Sequence, residues 1–220
     1  LLPELEEHFK IDQYGLHTIS NIYYDTDNYA ITRDSIDRPV YKEKLRVRAY
    51  GTPEPMTGQV FVELKKKYDH VVYKRRIAVP IGEANDFLTG GPDPKGADPQ
   101  ITREIRYFMQ RTKPEPKVYL SYQRIAMAGR EDPELRITTD QELLWRTYDL
   151  DLCLGPYGQR VLPEDMTLME IKVPGTMPLW LAQTLSRHEI YQSSFSKIGT
   201  CYTRFILPDI FDKKVVTTHV

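Results

Sequence analysis

Charged side chains alternate with apolar ones in several stretches of the chain that have the length and composition of β-strands. The clearest are residues 44–48 (KLRVR), 63–67 (ELKKK) and 170–172 (EIK). Residues two apart in a strand point to the same face, so each stretch has a charged face and a largely apolar one. Strands of this kind form either an ordinary sheet with one solvated face or a closed barrel whose charged faces point inward.

The charged faces are mostly cationic and rich in arginine. The basic residues on these predicted faces are Lys44, Arg46, Arg48, Lys65, Lys74, Arg76, Arg124, Arg136 and Lys172. Planar guanidinium groups bind phosphate oxygens through several hydrogen bonds at once, so this pattern favours a barrel that grips a polyanion. The alternative is that these arginines are simply exposed on a solvated strand face, as most surface arginines are.

The composition limits the functional class. The chain has 220 residues, with 30 basic and 31 acidic side chains and a formal net charge of −1, so a basic nucleic-acid-binding domain is not expected. Two isolated cysteines, Cys153 and Cys201, are too few for a disulfide scaffold, which favours a reducing, cytoplasmic environment. The sequence contains no apolar run of about 20 residues and no signal peptide, so we expect no membrane span.

The spacing of apolar residues predicts a single α+β domain over residues 1–220, dominated by antiparallel strands with helices outside. Strands are predicted at about 18–24, 42–51, 58–68, 71–79, 116–127, 134–139, 141–149 and 167–173. Helices are predicted at about 1–9, 30–38, 81–88, 102–110, 178–187 and 197–207, and a loop at about 153–166. Long strands separated by turn signals predict a barrel or a sandwich.

Six segments, in order along the chain, resemble the catalytic domain of the vacuolar transporter chaperone (VTC) family. They are residues 45–51 (LRVRAYG), 61–65 (FVELK), 122–124 (YQR), 135–140 (LRITTD), 168–172 (LMEIK) and 194–197 (SFSK). That domain is a polyphosphate polymerase within the triphosphate tunnel metalloenzymes, and the resemblance extends from about Ile19 to Cys201. It implies an eight-stranded antiparallel β-barrel, the triphosphate tunnel, with flanking helices.

The resemblance also implies a site for ATP and polyphosphate or triphosphate inside the tunnel. The matching positions assign catalytic phosphate contacts to Arg46, Arg48, Lys65, Arg124 and Arg136, and a catalytic, metal-binding role for Mn²⁺ or Mg²⁺ to Glu170. Further phosphate-binding positions are Lys44, Lys74, Arg76, Tyr122, Lys172, Ser196 and Lys197. Members of this family usually open with a strand that carries a basic residue, and this sequence begins after that point. Either this strand lies upstream of Leu1, or the tunnel lacks it, with an unpaired edge, one cation fewer and a compromised activity.

The roles of two carboxylates can each be interpreted in two ways. Glu63 and Glu170 are either internal counter-ions for the neighbouring cations or part of the site, and a hard divalent cation at Glu170 would complete its coordination with substrate phosphates. The same cations also allow three functions. The sequence favours a polymerase that transfers the terminal phosphate of ATP to polyphosphate, with a hydrolase of the same fold and a non-catalytic polyanion sensor as alternatives.

Overall fold

The computed structural model describes residues 1–37 and 39–210 of the chain. The helices are α1 (Leu2–His8), α2 (Ala30–Ile36), α3 (Ile81–Leu88), α4 (Pro99–Thr112), α5 (Leu179–Arg187) and α6 (Lys197–Cys201), which continues into a π-helical segment at Tyr202–Ile206. The strands are β1 (Phe9–Ile11), β2 (His17–Asp25), β3 (Tyr41–Tyr50), β4 (Gln59–Tyr68), β5 (Val71–Pro80), β6 (Glu115–Gly129), β7 (Arg136–Arg146), β8 (Gln159–Arg160) and β9 (Leu168–Lys172). The predicted end of the second helix at Arg38, and residues 211–220 of the predicted domain, lie outside this description.

The strands form one antiparallel sheet in the order β5-β4-β3-β2-β6-β7-β8, with β1 also paired to β6 and β9 to β7. The predicted α+β class, the antiparallel sheet and the flanking helices are confirmed. The sheet has nine strands rather than eight, and within the described residues its hydrogen-bond ladder is not closed. Its curvature is nevertheless strong, since it brings Lys65 on β4 within electrostatic reach of Glu170 on β9, five steps away along the sheet.

The reason for the open ladder lies in β7. The first half of this strand, from Arg136 to Asp140, pairs with β9, while Leu144 and Trp145 pair with β8. Between the two halves, Glu142 has a positive φ of 51°, which interrupts the regular strand. Neither β8 nor β9 continues along the whole length of β7, so no full-length strand is available to join it to β5.

One face of the sheet is apolar and carries helices α3 and α4. Leu45, Val47, Val62 and Leu64 are buried there against residues of these helices, including Phe87. This arrangement confirms the predicted alternation on β3 and β4, because the cations occupy the positions between these apolar residues. The apolar contact fixes which face of each strand is buried, since a slip of one residue would bury the charges instead.

This apolar face, the outer face of the sheet, also carries charged side chains that bind α4. Glu104 on α4 accepts hydrogen bonds from Arg75 at 3.0 and 3.1 Å and lies 2.9 Å from Lys66 Nζ. Arg75 and Lys66 are on strands β5 and β4, so these contacts connect helix and sheet. Both cations are paired because α4 places a carboxylate between them.

Three details of the predicted strands were wrong. The two strands predicted at about 134–139 and 141–149 are the single interrupted strand β7. The loop predicted at 153–166 contains the short strand β8, and β1 was not predicted at all. Strands of two or three residues are too short for an alternating pattern to be recognised.

No helix in residues 1–37 and 39–210 has the length and apolar character needed to cross a bilayer.

Candidate functional site

The opposite face, the inner face of the sheet, carries the cations in ordered rows. In antiparallel strands, residues directly opposite each other share a face, so the register of β3, β4 and β5 aligns their side chains. The rows are Lys44–Lys65–Lys74, Arg46–Glu63–Arg76 and Arg48–Phe61–Ala78. Like charges placed directly opposite one another repel, so these rows need either an internal counter-ion or a bound anion.

Glu63 is the counter-ion of this wall. It is 2% exposed, and its carboxylate oxygens lie 2.7 Å from Arg46 Nη2, 2.7 Å from Lys74 Nζ, 3.5 Å from Arg76 Nε and 3.9 Å from Arg48 Nε. Burial by itself raises the pKa of a carboxyl group, but the attraction of Arg46 and Arg48 outweighs it and lowers the pKa of Glu63 to about 2. Glu63 therefore remains ionised, with the geometry of a counter-ion rather than a general acid.

Polar groups on neighbouring strands hold the two arginines of β3 in place. Arg48 donates from Nε to Asn21 Oδ1 at 2.9 Å and from Nη2 to the Tyr122 hydroxyl at 3.1 Å. Arg46 donates from Nη1 to the Tyr23 hydroxyl at 3.1 Å. Asn21 and Tyr23 lie on β2, Tyr122 on β6 and Glu63 on β4, so three neighbouring strands fix the guanidinium groups in one geometry. This fixed geometry reduces the entropy that would be lost when an anion binds.

A second cationic group is organised by Asp140 on β7. Arg124 on β6 donates from Nε and Nη2 to the two oxygens of Asp140 at 2.6 and 2.8 Å. Lys197, the first residue of α6, has its Nζ 2.7 Å from Asp140 Oδ2 and 4.7 Å from the centre of the Tyr122 ring. Asp140 is 1% exposed, and its pKa is lowered because these hydrogen bonds outweigh the effect of burial. Tyr122 contacts both groups, since its hydroxyl accepts from Arg48.

The two groups approach each other across the curved sheet. Lys44 Nζ on β3 lies 3.5 Å from the hydroxyl of Ser196, which caps α6 by accepting from Gly199 N. The pKa of Lys65 is lowered by burial and by the nearby charge of Arg46, and Glu170 partly offsets this effect. Lysines on β3 and β4 thus face the start of α6 and strand β9.

Of the three carboxylates among the described residues of this face, that of Glu170 has the weakest contact with a cation. The Glu170 side chain is 53% exposed, and its carboxylate lies 4.0 Å from Lys172 Nζ, a long distance for an ion pair. No group of three or more histidine, cysteine, aspartate or glutamate side chains is arranged to hold a metal ion in the described part of the chain. A metal at Glu170 would therefore need ligands from a bound molecule, as Mg²⁺ commonly takes them from phosphates.

Comparison with known proteins places this arrangement in a family. The family model of the VTC domain matches residues 1–206. This chain belongs to the VTC domain family. No curated protein matches it closely enough to be reported as a relative.

One solved structure shares the fold, and a second is less similar. A Bacillus halodurans protein described provisionally as an adenylate cyclase is 15% identical, with a TM-score of 0.52 over 93% of this chain and 88% of that chain. A Pyrococcus horikoshii protein is 11% identical, with a TM-score of 0.39 over 96% of this chain and 92% of that chain. The first similarity supports the tunnel-type antiparallel sheet of this VTC domain.

The structure brings most of the predicted site residues of this VTC domain together on one face. Those in direct or electrostatic contact there, either with one another or through the shared carboxylate Glu63, are Lys44, Arg46, Arg48, Lys65, Lys74, Arg76, Tyr122, Arg124, Glu170, Lys172, Ser196 and Lys197. Arg136 is different. It lies opposite Lys172 at the end of β7, is 56% exposed, and donates to Glu134 and the Pro133 carbonyl instead.

The sequence did not identify the residues that hold the site in place. Asn21, Tyr23 and Asp140 received no role, although Asp140 shares the strand phase of Arg136, four residues earlier. That phase was a usable signal, because a carboxylate on a cationic face needs a partner. Arg146 was also missed. It is 1% exposed and donates to the carbonyls of Asp149, Asp151, Gly155 and Tyr157, so it fixes a loop rather than the site.

Proposed function

We propose that this VTC domain is an ATP–polyphosphate phosphotransferase, which extends a polyphosphate chain and releases ADP. The observation that carries the proposal is the excess of cations over carboxylates on one concave face. In the described part of this face the cations include Lys44, Arg46, Arg48, Lys65, Lys74, Arg76, Arg124, Lys172 and Lys197, against the carboxylates Glu63, Asp140 and Glu170. Phosphates would supply the missing negative charge.

The reaction requires alignment more than covalent chemistry from the protein. A terminal oxygen of the polyphosphate chain attacks the γ-phosphorus of ATP, one P–O bond forms, and the bond from the γ-phosphorus to the β,γ-bridging oxygen breaks as ADP leaves. The attacking oxygen is already anionic, so no general base is needed. Arg46, Arg48 and Lys65 would hold non-bridging oxygens from one wall, and Arg124 from the other.

We assign Arg136 and Lys172 to longer polyphosphate chains that reach the end of β7 and β9. Lys74, Lys44 and Lys197 would neutralise phosphates without a fixed geometry, since an ammonium group acts as a point charge, whereas the guanidinium of Arg76, held beside Glu63, would offer a directed phosphate contact. Tyr122 would keep Arg48 and Lys197 in position, and Ser196 would offer its hydroxyl beside Lys44.

Glu170 fits the requirements of a divalent metal ion. Its carboxylate is half exposed and weakly paired, whereas Glu63 and Asp140 are fully engaged by cations. Mn²⁺ or Mg²⁺ held there, with phosphates as further ligands, would neutralise charge that develops on the transferred and leaving phosphates. The substrates ATP and polyphosphate, together with two free cysteines, fit a cytoplasmic catalytic domain.

The test is to incubate the purified domain with ATP and Mn²⁺ and to resolve the phosphorus-containing products. We expect chains of increasing length and one ADP per phosphate added. Orthophosphate without chains would replace the proposal with the hydrolase, and unchanged ATP with measurable binding would replace it with the sensor. An Arg46→Ala/Arg48→Ala variant, which lacks two of the fixed guanidinium groups, controls for a contaminating enzyme.

A further inference from the structure

Aromatic side chains gather at one end of the cationic wall formed by β3, β4 and β5. Tyr50 is the last residue of β3 on the cationic face, and its ring meets Phe61 edge to face at 5.5 Å between centroids. His17, at the start of β2, lies 6.1 Å from Tyr50 on the other side. Tyr50 is 48% exposed, although a tyrosine at a strand end could have packed into the core. The aromatic group has no part in the phosphate chemistry described above.

An arginine joins the aromatic group to the cations. The Arg76 guanidinium lies 3.5 Å from the centroid of Phe61 and 5.8 Å from that of Tyr50, and its Nη2 is 3.5 Å from the Tyr50 hydroxyl. Its Nε lies 3.5 Å from Glu63, the counter-ion of the wall. Aromatic rings and guanidinium planes are the groups on which nucleobases stack.

The chemistry of this wall changes in one direction along the strands. From the aromatic end it passes through the arginine row of Arg46 and Arg76 to the lysine row that contains Lys44 and Lys65. Successive rows on one face are separated by about 7 Å, because two residues of a strand span this distance. A ligand with a flat base at one end and a chain of phosphates at the other matches this order.

We propose, resting on the phosphotransferase function above, that Tyr50 and its aromatic neighbours form a nucleobase subsite, and that the triphosphate of ATP extends from there toward the lysine row. The γ-phosphate then reaches the region of Lys65 and Glu170, where the acceptor chain approaches from beyond the lysines. The wall thus has a nucleotide end and a polyphosphate end. Lysines suit the polyphosphate end, because a point charge on a flexible stem allows a chain to slide.

The test compares two ligands that differ in the nucleoside. Affinities for ATP and for inorganic tripolyphosphate are measured calorimetrically, without metal, for the wild type, Tyr50→Ala and Tyr50→Phe. Stacking on an aromatic ring typically contributes enough that its loss weakens binding about tenfold. We expect Tyr50→Ala to lose about tenfold in ATP affinity with tripolyphosphate affinity unchanged, and Tyr50→Phe to bind both ligands normally. Tyr107→Ala, an equally truncated exposed tyrosine on α4, should match the wild type.

A second measurement needs no variant. Photolabelling of the wild type with 8-azido-ATP, followed by peptide mapping, should place the label between residues 48 and 61. Equal losses for both ligands in Tyr50→Ala, no loss for ATP, or a label confined to the lysine row would overturn the nucleobase subsite. If the wild type makes polyphosphate in such a case, the proposed function stands alone. If it makes none while the ATP-specific loss is observed, the subsite stands and the phosphotransferase fails.

Discussion

At the scale of single residues, the site depends on carboxylates that make a cationic face compatible with folding. Glu63 touches four cations of β3 and β5, and Asp140 touches one cation from β6 and one from α6. Each holds its partners at defined distances and leaves other guanidinium and ammonium hydrogens for a ligand. Removing such a partner leaves uncompensated buried charge, which is among the most destabilising changes a protein can undergo.

Replacing Glu63 with glutamine tests this role. Glu63→Gln keeps the size of the side chain but leaves Arg46, Arg48 and Lys74 without their counter-charge, so we expect a loss of about 3 kcal/mol in the free energy of unfolding. Tripolyphosphate should restore part of this loss and should stabilise the variant more than the wild type. Chemical denaturation with and without tripolyphosphate measures both effects. A variant as stable as the wild type would contradict the role.

The same pair of proteins gives a pH dependence. The folded-state pKa of Glu63 is about 2, below its ordinary value of 4.5, so its contribution is complete above pH 4.5. As the pH falls from about 4.5 to about 2, Glu63 becomes protonated and the contribution is lost. The stability difference between wild type and Glu63→Gln should therefore be constant from pH 5 to 7 and shrink below pH 4.5. A difference at pH 2.5 as large as that at pH 7 would refute the electrostatic explanation.

Glu170→Gln separates metal binding from anion binding. The substitution removes the charge a divalent cation requires, while the phosphate-binding cations remain. Turnover at fixed Mn²⁺ should fall at least about 100-fold, with tripolyphosphate affinity in the absence of metal equal to or above that of the wild type. Glu164→Gln, which alters a solvent-exposed carboxylate 3.2 Å from Arg160, is the matched control. Normal turnover at the same Mn²⁺ requirement would rule out the metal assignment.

At the scale of elements, the sequence predicts the long strands but not which strands pair with one another. The alternation in β3, β4 and β5 predicted both their extent and the face that each cation occupies, because burial of Leu45 and Val47 leaves one solution. The irregular pairing of β7 depends on the positive φ of one residue, Glu142, and no local sequence pattern predicts that conformation. The contact between Asp140 and Lys197 depends on α6 reaching β7, a long-range contact that the strand pattern cannot contain.

Helix α4 gives a prediction at this scale. Asp98 caps the helix by accepting from the backbone N–H of Gln100 at 2.7 Å, and Pro99 occupies its first position. Asp98→Ala should lower the free energy of unfolding by about 1 kcal/mol, because the helix start loses its acceptor. Since α4 packs on the apolar face, tripolyphosphate affinity should be unchanged. Denaturation and calorimetry of this variant check the two statements, and a weakened affinity would show that the two faces are coupled.

At the scale of the whole molecule, one sheet performs two tasks with its two faces. The outer face buries apolar residues under α3 and α4, which supplies stability. The inner face gathers cations from β3, β4, β5, β6 and α6 around two buried carboxylates, which supplies the site. Curvature of the sheet brings these elements together without a closed ladder. The central claim is that the inner face, and not positive charge in general, binds the polyphosphate substrate.

The most direct test uses two double variants that remove the same charge from opposite faces. Arg46→Ala/Arg48→Ala removes two inner cations, and Lys66→Ala/Arg75→Ala removes two outer cations that pair with Glu104. Tripolyphosphate affinity is measured by calorimetry for both, after circular dichroism has shown that each is folded. We predict a loss of at least about 100-fold for the inner pair, since each charged hydrogen-bond donor contributes about 1.5–3 kcal/mol, and a change of less than about threefold for the outer pair. Equal losses in the two variants would contradict the claim.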